Sequence, residues 1–308
     1  MIHVSNLTQD FTDVRALDNV SFQIEKGAVV ALIGPNGSGK TTLMRCLSTL
    51  QEIQDGSIFI NDIDITEEPR RIHQMVGYLA DNFGLYDDLS VRQCLEYTAY
   101  SRLLDLKDAD ELIEKCAIEV GVIDFIDREV NTLSRGMRQR VGIAQAIIHE
   151  PELLILDEPA SGLDPEARID LSNLILKLKD RGMTIFVSSH ILAELEDYST
   201  EMLIIKDGRI VEHSKLISDK NETSDVTILR LILEESFEGL RLLLNDFAET
   251  IELIDENELT LTLHLKEETM KQHELLRFLI INNVPVKELS KVKRNLQEEY
   301  LKTIHKID

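Results

Sequence analysis

Positive charge, cysteine and long apolar runs are all in short supply in this 308-residue chain. Cys46, Cys94 and Cys116 are odd in number, widely spaced and without histidines at ligand spacing, which argues against structural disulfides and a zinc site. No run of about 18 apolar residues occurs. The opening MIHVSNLTQDF has no basic segment followed by an apolar one, so neither a membrane span nor a signal peptide is expected, and the chain is read as cytoplasmic. The 33 Lys and Arg against 56 Asp and Glu leave a formal net charge of −23. Residues 213–308 carry 13 basic and 19 acidic groups, net −6, which leaves −17 on residues 1–212. A surface that negative repels polyphosphate at long range and weighs against a nucleic-acid partner.

What is present fills an ordinary core, since 43% of residues are hydrophobic, and the length suits two domains. The N-terminal part alternates strand-like and helix-like stretches, the pattern of an α/β domain with a largely parallel sheet. The apolar runs Val29–Ile33, Leu153–Leu156 and Thr184–Val187 suit strands buried on both faces. Residues 89–131 lack such runs and show helical spacing, as in Leu112, Ile113, Cys116 and Val120, which predicts a helical subdomain inserted over about 89–150. MLIIKDGRIVEH (202–213) reads as a hairpin around Asp207-Gly208. The polar stretch 214–225 is a linker candidate between a domain over 1–213 and a module over 226–308. That module reads strand, helix, strand, strand, helix, strand, with Leu259, Leu261, Leu263 and Leu265 alternating with polar residues. The order βαββαβ suggests a ferredoxin-like module, followed by a helix over about 294–304.

The chemistry concentrates in a few places. Gly34-Pro35-Asn36-Gly37-Ser38-Gly39-Lys40-Thr41-Thr42 is a full G-x-x-x-x-G-K-[ST] match, placed after a strand and before a helical stretch. The glycines let backbone N–H groups turn toward phosphate, and the N-terminus of the following helix adds to that field. Lys40 would reach the β- and γ-phosphates and Thr41 would hold Mg²⁺. The run Leu153–Leu156 delivers Asp157 and Glu158 at its end, the first placed to coordinate Mg²⁺ and the second to orient or deprotonate an attacking water. His190 follows the strand at 184–187 and can contact a γ-phosphate there.

LSRGMRQRVGIA (133–144) puts Arg135, Arg138 and Arg140 into this acidic chain. Ser134 can cap a helix whose apolar stripe is Met137, Val141, Ala144 and Ile148, and the arginines fall between those positions. A solvated face is one reading; a nucleic-acid patch and a phosphate site at a helix N-terminus are the others.

Taken together, these motifs resemble the ATP-binding cassette (ABC) family of transporter ATPases over residues 2 to about 212, with LSRGM as a variant of that family's LSGGQ signature. The resemblance implies a P-loop α/β cassette that binds ATP and Mg²⁺ and dimerises head to tail with a copy of itself or a second ABC ATPase subunit. Ser134 and the N–H of Gly136 would then contact the γ-phosphate held by the opposing chain. Phe11 falls where an aromatic stacks on adenine, Ser161-Gly162-Leu163-Asp164 matches the loop linking the two sites, and His190 matches a γ-phosphate histidine. Three departures stand out: Arg135 and Met137 replace signature Gly and Gln, Asp81 replaces a Gln that touches Mg²⁺ and attacking water, and Phe11 replaces the more usual Tyr.

The implied function is ATP hydrolysis that drives transport, in the export direction, through a separate integral membrane permease, with the chain peripheral on the inner membrane face. The alternatives are a soluble ABC-type ATPase of translation or DNA maintenance, or an ATP switch. A single phosphate loop, no long coiled coil or Cys pairs between loop and signature, and the intact Asp157-Glu158 pair speak against both.

Overall fold

The computed structural model describes residues 1–102, 106–189, 192–216, 227–237, 239–247, 251–257, 259–265 and 272–291. They fall into two compact units, one up to residue 216 and one within 217–298. His190, residues 217–225 of the expected linker and the expected helix over 294–304 lie outside the described residues.

In chain order the first unit runs β1 (Ile2–Phe11), β2 (Val14–Ile24), β3 (Val29–Ile33), α1 (Lys40–Leu47), β4 (Asp55–Ile60), β5 (Ile63–Asp64), α2 (Pro69–Met75), β6 (Val76–Leu79), α3 (Val91–Ser101), α4 (Leu106–Val120), α5 (Arg135–Ile147), β7 (Leu153–Leu156), α6 (Pro165–Asp180), β8 (Thr184–Ser188), α7 (Leu192–Glu196), β9 (Glu201–Lys206) and β10 (Arg209–Lys215). Two sheets result. The larger has the order β10-β9-β3-β8-β7-β6, parallel except for the edge strand β10. Every residue of β3, β7 and β8 is buried, which is why these strands read as unbroken apolar runs. The second sheet, β2-β1-β4-β5, is antiparallel. Sequence reading did not anticipate it, because register shifts within the β1–β2 and β1–β4 ladders break the alternation that would reveal it.

One core joins both sheets. Val4, Leu17, Phe22 and Ile58 from the antiparallel sheet pack in the same cluster as Val30, Leu32, Ile155 and Phe186 from the parallel one. Leu43, Met44 and Leu47 of α1 complete it, and Phe22 stacks on Phe186 with ring centroids 6.1 Å apart. Each such side chain contributes about 1.5–3 kcal/mol on burial, so the element that starts at Lys40 is anchored by three of them. Burial also pushes the Cys46 and Cys116 thiols up to about 12, which keeps them protonated and inert.

Between β6 and β7 the described chain is helical, with α3, α4 and α5 and two 3-10 turns. Asp207 and Gly208, both at positive φ, close the β9–β10 hairpin as expected. The strand β10 runs on to Lys215, past residue 213, because Ser214 and Lys215 pair with Met202 and Glu201.

The second unit contains β11 (Thr227–Leu233), α8 (Leu240–Phe247), β12 (Ile251–Asn257), β13 (Thr260–Leu265), α9 (Gln272–Ile281) and β14 (Val286–Lys291). Its sheet is antiparallel in the order β12-β13-β11-β14. Leu229, Leu231, Leu261 and Leu263 face Leu244, Leu275 and Leu279 in its core. Leu259 does not join that stripe: it precedes β13 and stays 41% exposed. Among the described residues, no helix is long and apolar enough to cross a membrane.

Candidate functional site

The loop 34–39 leaves the end of β3 and enters α1 directly. It is built for close approach. A side chain on Gly34 would meet the Ile205 carbonyl oxygen at 2.3 Å, and one on Gly39, at φ +107, would meet the Ala16 carbonyl oxygen at 2.4 Å. Within the loop, the Ser38 N–H donates to the Pro35 carbonyl (3.2 Å), and the Gly208 N–H donates to the Ser38 carbonyl (3.0 Å). Among the described residues, the N–H groups of Gly37, Gly39, Lys40, Thr41 and Thr42 have no hydrogen-bond acceptor, and the buried Ser38 hydroxyl has no partner. That row of free donors at a helix N-terminus fits a phosphate chain. Lys40 is buried, with Nζ donating to the carbonyls of Gly34 (2.8 Å) and Pro35 (3.2 Å), while Asn36 and Thr41 are exposed at the loop surface and Thr42 is half-buried.

The acidic pair stands beside this loop. Strand β8 lies between β3 and β7, so the ends of all three open on one side of the sheet. Lys40 Nζ is 3.8 Å from Glu158 Oε1. Asp157 is 2% exposed; its Oδ1 accepts from the Ser188 hydroxyl at 2.7 Å, and that same hydroxyl accepts from the Glu158 N–H at 2.9 Å. Glu158 sits at φ 49, a left-handed conformation that turns the chain sharply out of β7. Ser188 thus holds both acids in place, a role the residue's position before Ser189 and His190 did not disclose.

Asp81 is exposed, just past the end of β6. Burial pushes the Tyr78 hydroxyl up to about 12, with Asp157 adding to the rise, Arg45 opposing it and Asp81 adding again, so both carboxylates act on one ring. Among the described residues no three His, Cys, Asp or Glu gather into a metal cage. Asp157, Asp81 and the Thr41 hydroxyl, the residues expected from sequence to take Mg²⁺, are all oxygen donors, the chemistry that suits this cation.

Phe11 ends β1, 43% exposed. Its hairpin is tied to the loop, since the Asp18 N–H donates to the Gly208 carbonyl at 2.8 Å and the Ala16 carbonyl abuts Gly39. The remaining expected residues gather at a second place, where α5 and α6 begin. Ser134 caps α5 through the Met137 N–H (3.3 Å), and Asp164 caps α6 through the Ala167 N–H (2.8 Å). Gly136 lies so near Ala167 that its added side chain would stand 2.9 Å from the Ala167 methyl. The basic cluster resolves into separate contacts: Arg138 pairs with Asp87 at 2.7 Å, Arg140 with Asp170, and Arg135 lies on Gly162. His190, assigned to the γ-phosphate by resemblance, falls outside the described residues.

Residues 17–161, which hold the loop, the signature and the acidic pair, match the family model described as ABC transporter. The ABC transporter ATP-binding protein NatA of Bacillus subtilis is 34% identical over 223 residues, 71% of this chain and 91% of that one. The uncharacterized ABC transporter ATP-binding protein YhcH of the same organism is 29% identical over 303 residues, 98% and 95% of the two chains. The dimeric structure of MJ0796, a bacterial ABC transporter cassette, superposes with a TM-score of 0.64 at 25% identity, covering 71% of this chain and all of that one. Phosphate loop, acidic pair, signature serine and these likenesses agree: the chain belongs to the family of ABC transporter ATP-binding proteins.

Proposed function

We propose that this chain is the ATP-hydrolysing subunit of an ABC transporter, working as a head-to-tail dimer that drives export through a separate membrane permease. The observation that carries the proposal is the convergence of Lys40, Asp157, Glu158 and Ser188 at the ends of three neighbouring parallel strands. Phe11 stacks on the adenine, the loop residues Gly34, Asn36, Gly37, Ser38, Gly39, Thr41 and Thr42 line the phosphates with the free amides of Gly37, Gly39, Lys40, Thr41 and Thr42, and Lys40 leaves its own carbonyls for the β- and γ-phosphates. Thr41, Asp157 and Asp81 would hold Mg²⁺, whose charge would offset that developing on the phosphate oxygens. Glu158 orients or deprotonates the attacking water, and His190 is assigned to the γ-phosphate.

The second half of each site comes from the partner copy or a second ABC ATPase subunit. Ser134 is exposed at the start of α5, and its hydroxyl and the Gly136 N–H are offered to the opposing γ-phosphate, with Asp164 in the loop between sites. That the cassette structure named above is dimeric supports the pairing of two such chains. Because contacts to ATP come from both chains, binding free energy is realised on closure and nucleotide shifts the open–closed population.

We assign α3–α5 to a helical subdomain inserted in the cassette, which passes the motion to the permease together with the loop 81–88. The second unit is assigned to a ferredoxin-like module, on its βαββαβ order and antiparallel sheet. The permease places the chain at the inner face of the membrane, and the strong negative charge speaks against nucleic acid as partner. The test is a steady-state ATPase assay of the full chain with and without its permease in vesicles. Stimulated turnover and transport are expected; failure to bind ATP overturns the reading.

A further inference from the structure

We propose that Arg135 is a positioning residue, whose guanidinium lies flat on Gly162 and ties the start of α5 to the loop that follows Glu158. A side chain built on Gly162 would stand 2.4 Å from Arg135 Cζ, 2.5 Å from Nη1 and 2.8 Å from Nη2. Because Cζ is the nearest of the three, Gly162 meets the face of the guanidinium and not its edge. Gly162 is also at φ +66, so glycine serves there both for its backbone conformation and for the space it leaves.

Electrostatics does not explain the placement. Arg138 and Arg140 each have an acidic partner, whereas Arg135 makes no ion pair among the described residues. It also stands at the start of α5 and close to the start of α6, where the partial positive charge of two helix termini repels a cation. What remains is shape: a planar, weakly hydrated group stacked on a bare backbone. A second contact runs beside it, Gly136 against Ala167, so consecutive residues of α5 meet the loop and then the first turn of α6.

The loop transmits displacement because it is short and internally bonded. The Ser161 N–H donates to the Glu158 carbonyl at 3.0 Å, the Leu163 N–H donates to the Ala160 carbonyl at 3.2 Å, and Leu163 is buried. A shift at Gly162 therefore reaches Glu158 through two turns. The inference rests on the reading of Ser134 and Gly136 as contacts to the partner's ATP: given that reading, the tie lets a chain's own Glu158 sense whether the opposite site is filled.

The test uses the full chain and Arg135→Gly, Arg135→Lys, Gly162→Ala and the double variant Arg135→Gly/Gly162→Ala. Arg135→Gly and Gly162→Ala are each expected to lower kcat about tenfold and bring the Hill coefficient for ATP toward unity, with monomer ATP affinity changed by less than about twofold. Lys keeps the charge without the flat face and is expected to behave like Gly, and the double variant, which keeps the strain of alanine at φ +66, is expected to be no worse than Gly162→Ala. Wild-type kcat and cooperativity in Arg135→Gly, or full rescue by Lys, would overturn the tie. If the wild-type chain does not bind ATP, or Glu158→Gln does not dimerise with it, the functional reading fails instead. The tie is then judged by urea unfolding of the same variants, where a wild-type midpoint in Arg135→Gly refutes it.

Discussion

The Lys40 ammonium stands 3.8 Å from Glu158 Oε1, with both side chains largely withdrawn from water. Its shorter contacts are to the Gly34 and Pro35 carbonyls, so the ammonium rests against its own loop with the carboxylate beside it. Under the proposed function, nucleotide phosphates replace those carbonyls and draw the ammonium away from Glu158.

Lys40→Ala should lose nucleotide affinity itself. Hydrogen bonds to charged groups contribute about 1.5–3 kcal/mol each, so ATP binding is expected to weaken by roughly ten- to a hundredfold. Equilibrium titration with ATP checks this, and an unchanged Kd would remove the lysine from the phosphate site.

Glu158→Gln keeps the size of the side chain and removes its basicity. Binding should persist while turnover falls about 10²–10⁴-fold, the usual contribution of a positioned general base. A long-lived ATP-bound dimer should appear in size-exclusion chromatography. Near-normal hydrolysis would show that another group does the work.

Ser188→Ala should be felt at both acids. It leaves the buried Asp157 oxygen and the Glu158 N–H without their shared hydroxyl, a loss of about 1–3 kcal/mol for the unsatisfied buried group. A lower melting temperature and a higher Mg²⁺ concentration for half-maximal activity are expected. An unaltered melting curve would mean that the bridge contributes nothing.

Stability should fall with acid through His149. Burial, reinforced by the neighbouring Arg102 charge, lowers its imidazole from 6.5 to about 4 against the raising effect of a hydrogen bond to the Val76 carbonyl. The folded form is therefore neutral at pH values where the unfolded chain already takes up a proton. Stability is complete above 6.5 and is lost as pH drops from there toward about 4. Denaturant midpoints at several pH values check this: His149→Gln should flatten the loss in that window, and an identical slope would acquit the histidine.

The parallel sheet was legible because strands covered on both faces must be apolar throughout, and Val29–Ile33 and Leu153–Leu156 are. The antiparallel sheet was hidden by bulges at Val4–Leu7 and Leu7–Gln9, which break the period. In the second unit alternation located β13 but misplaced its start, since Leu259 continues the pattern in sequence while lying outside the strand.

The site divides the same way. The residues of the phosphate loop and the acidic pair were readable one by one, since free amides, an ammonium and two carboxylates at strand ends carry their chemistry in residue type and local spacing. Sequence alone determined those groups, the burial of the central strands and the helix cap at Ser134, all of which depend on neighbours a few positions away, whereas the cap that Asp164 gives α6 came from the structure. Only the tertiary structure decided that Ser188 bridges Asp157 and Glu158 across 30 residues, that Tyr78 feels Asp157, and that Arg135 lies on Gly162 while Arg138 and Arg140 find acids elsewhere. These relationships join segments distant in sequence, and strand order, which no local pattern encodes, is what brings them within reach.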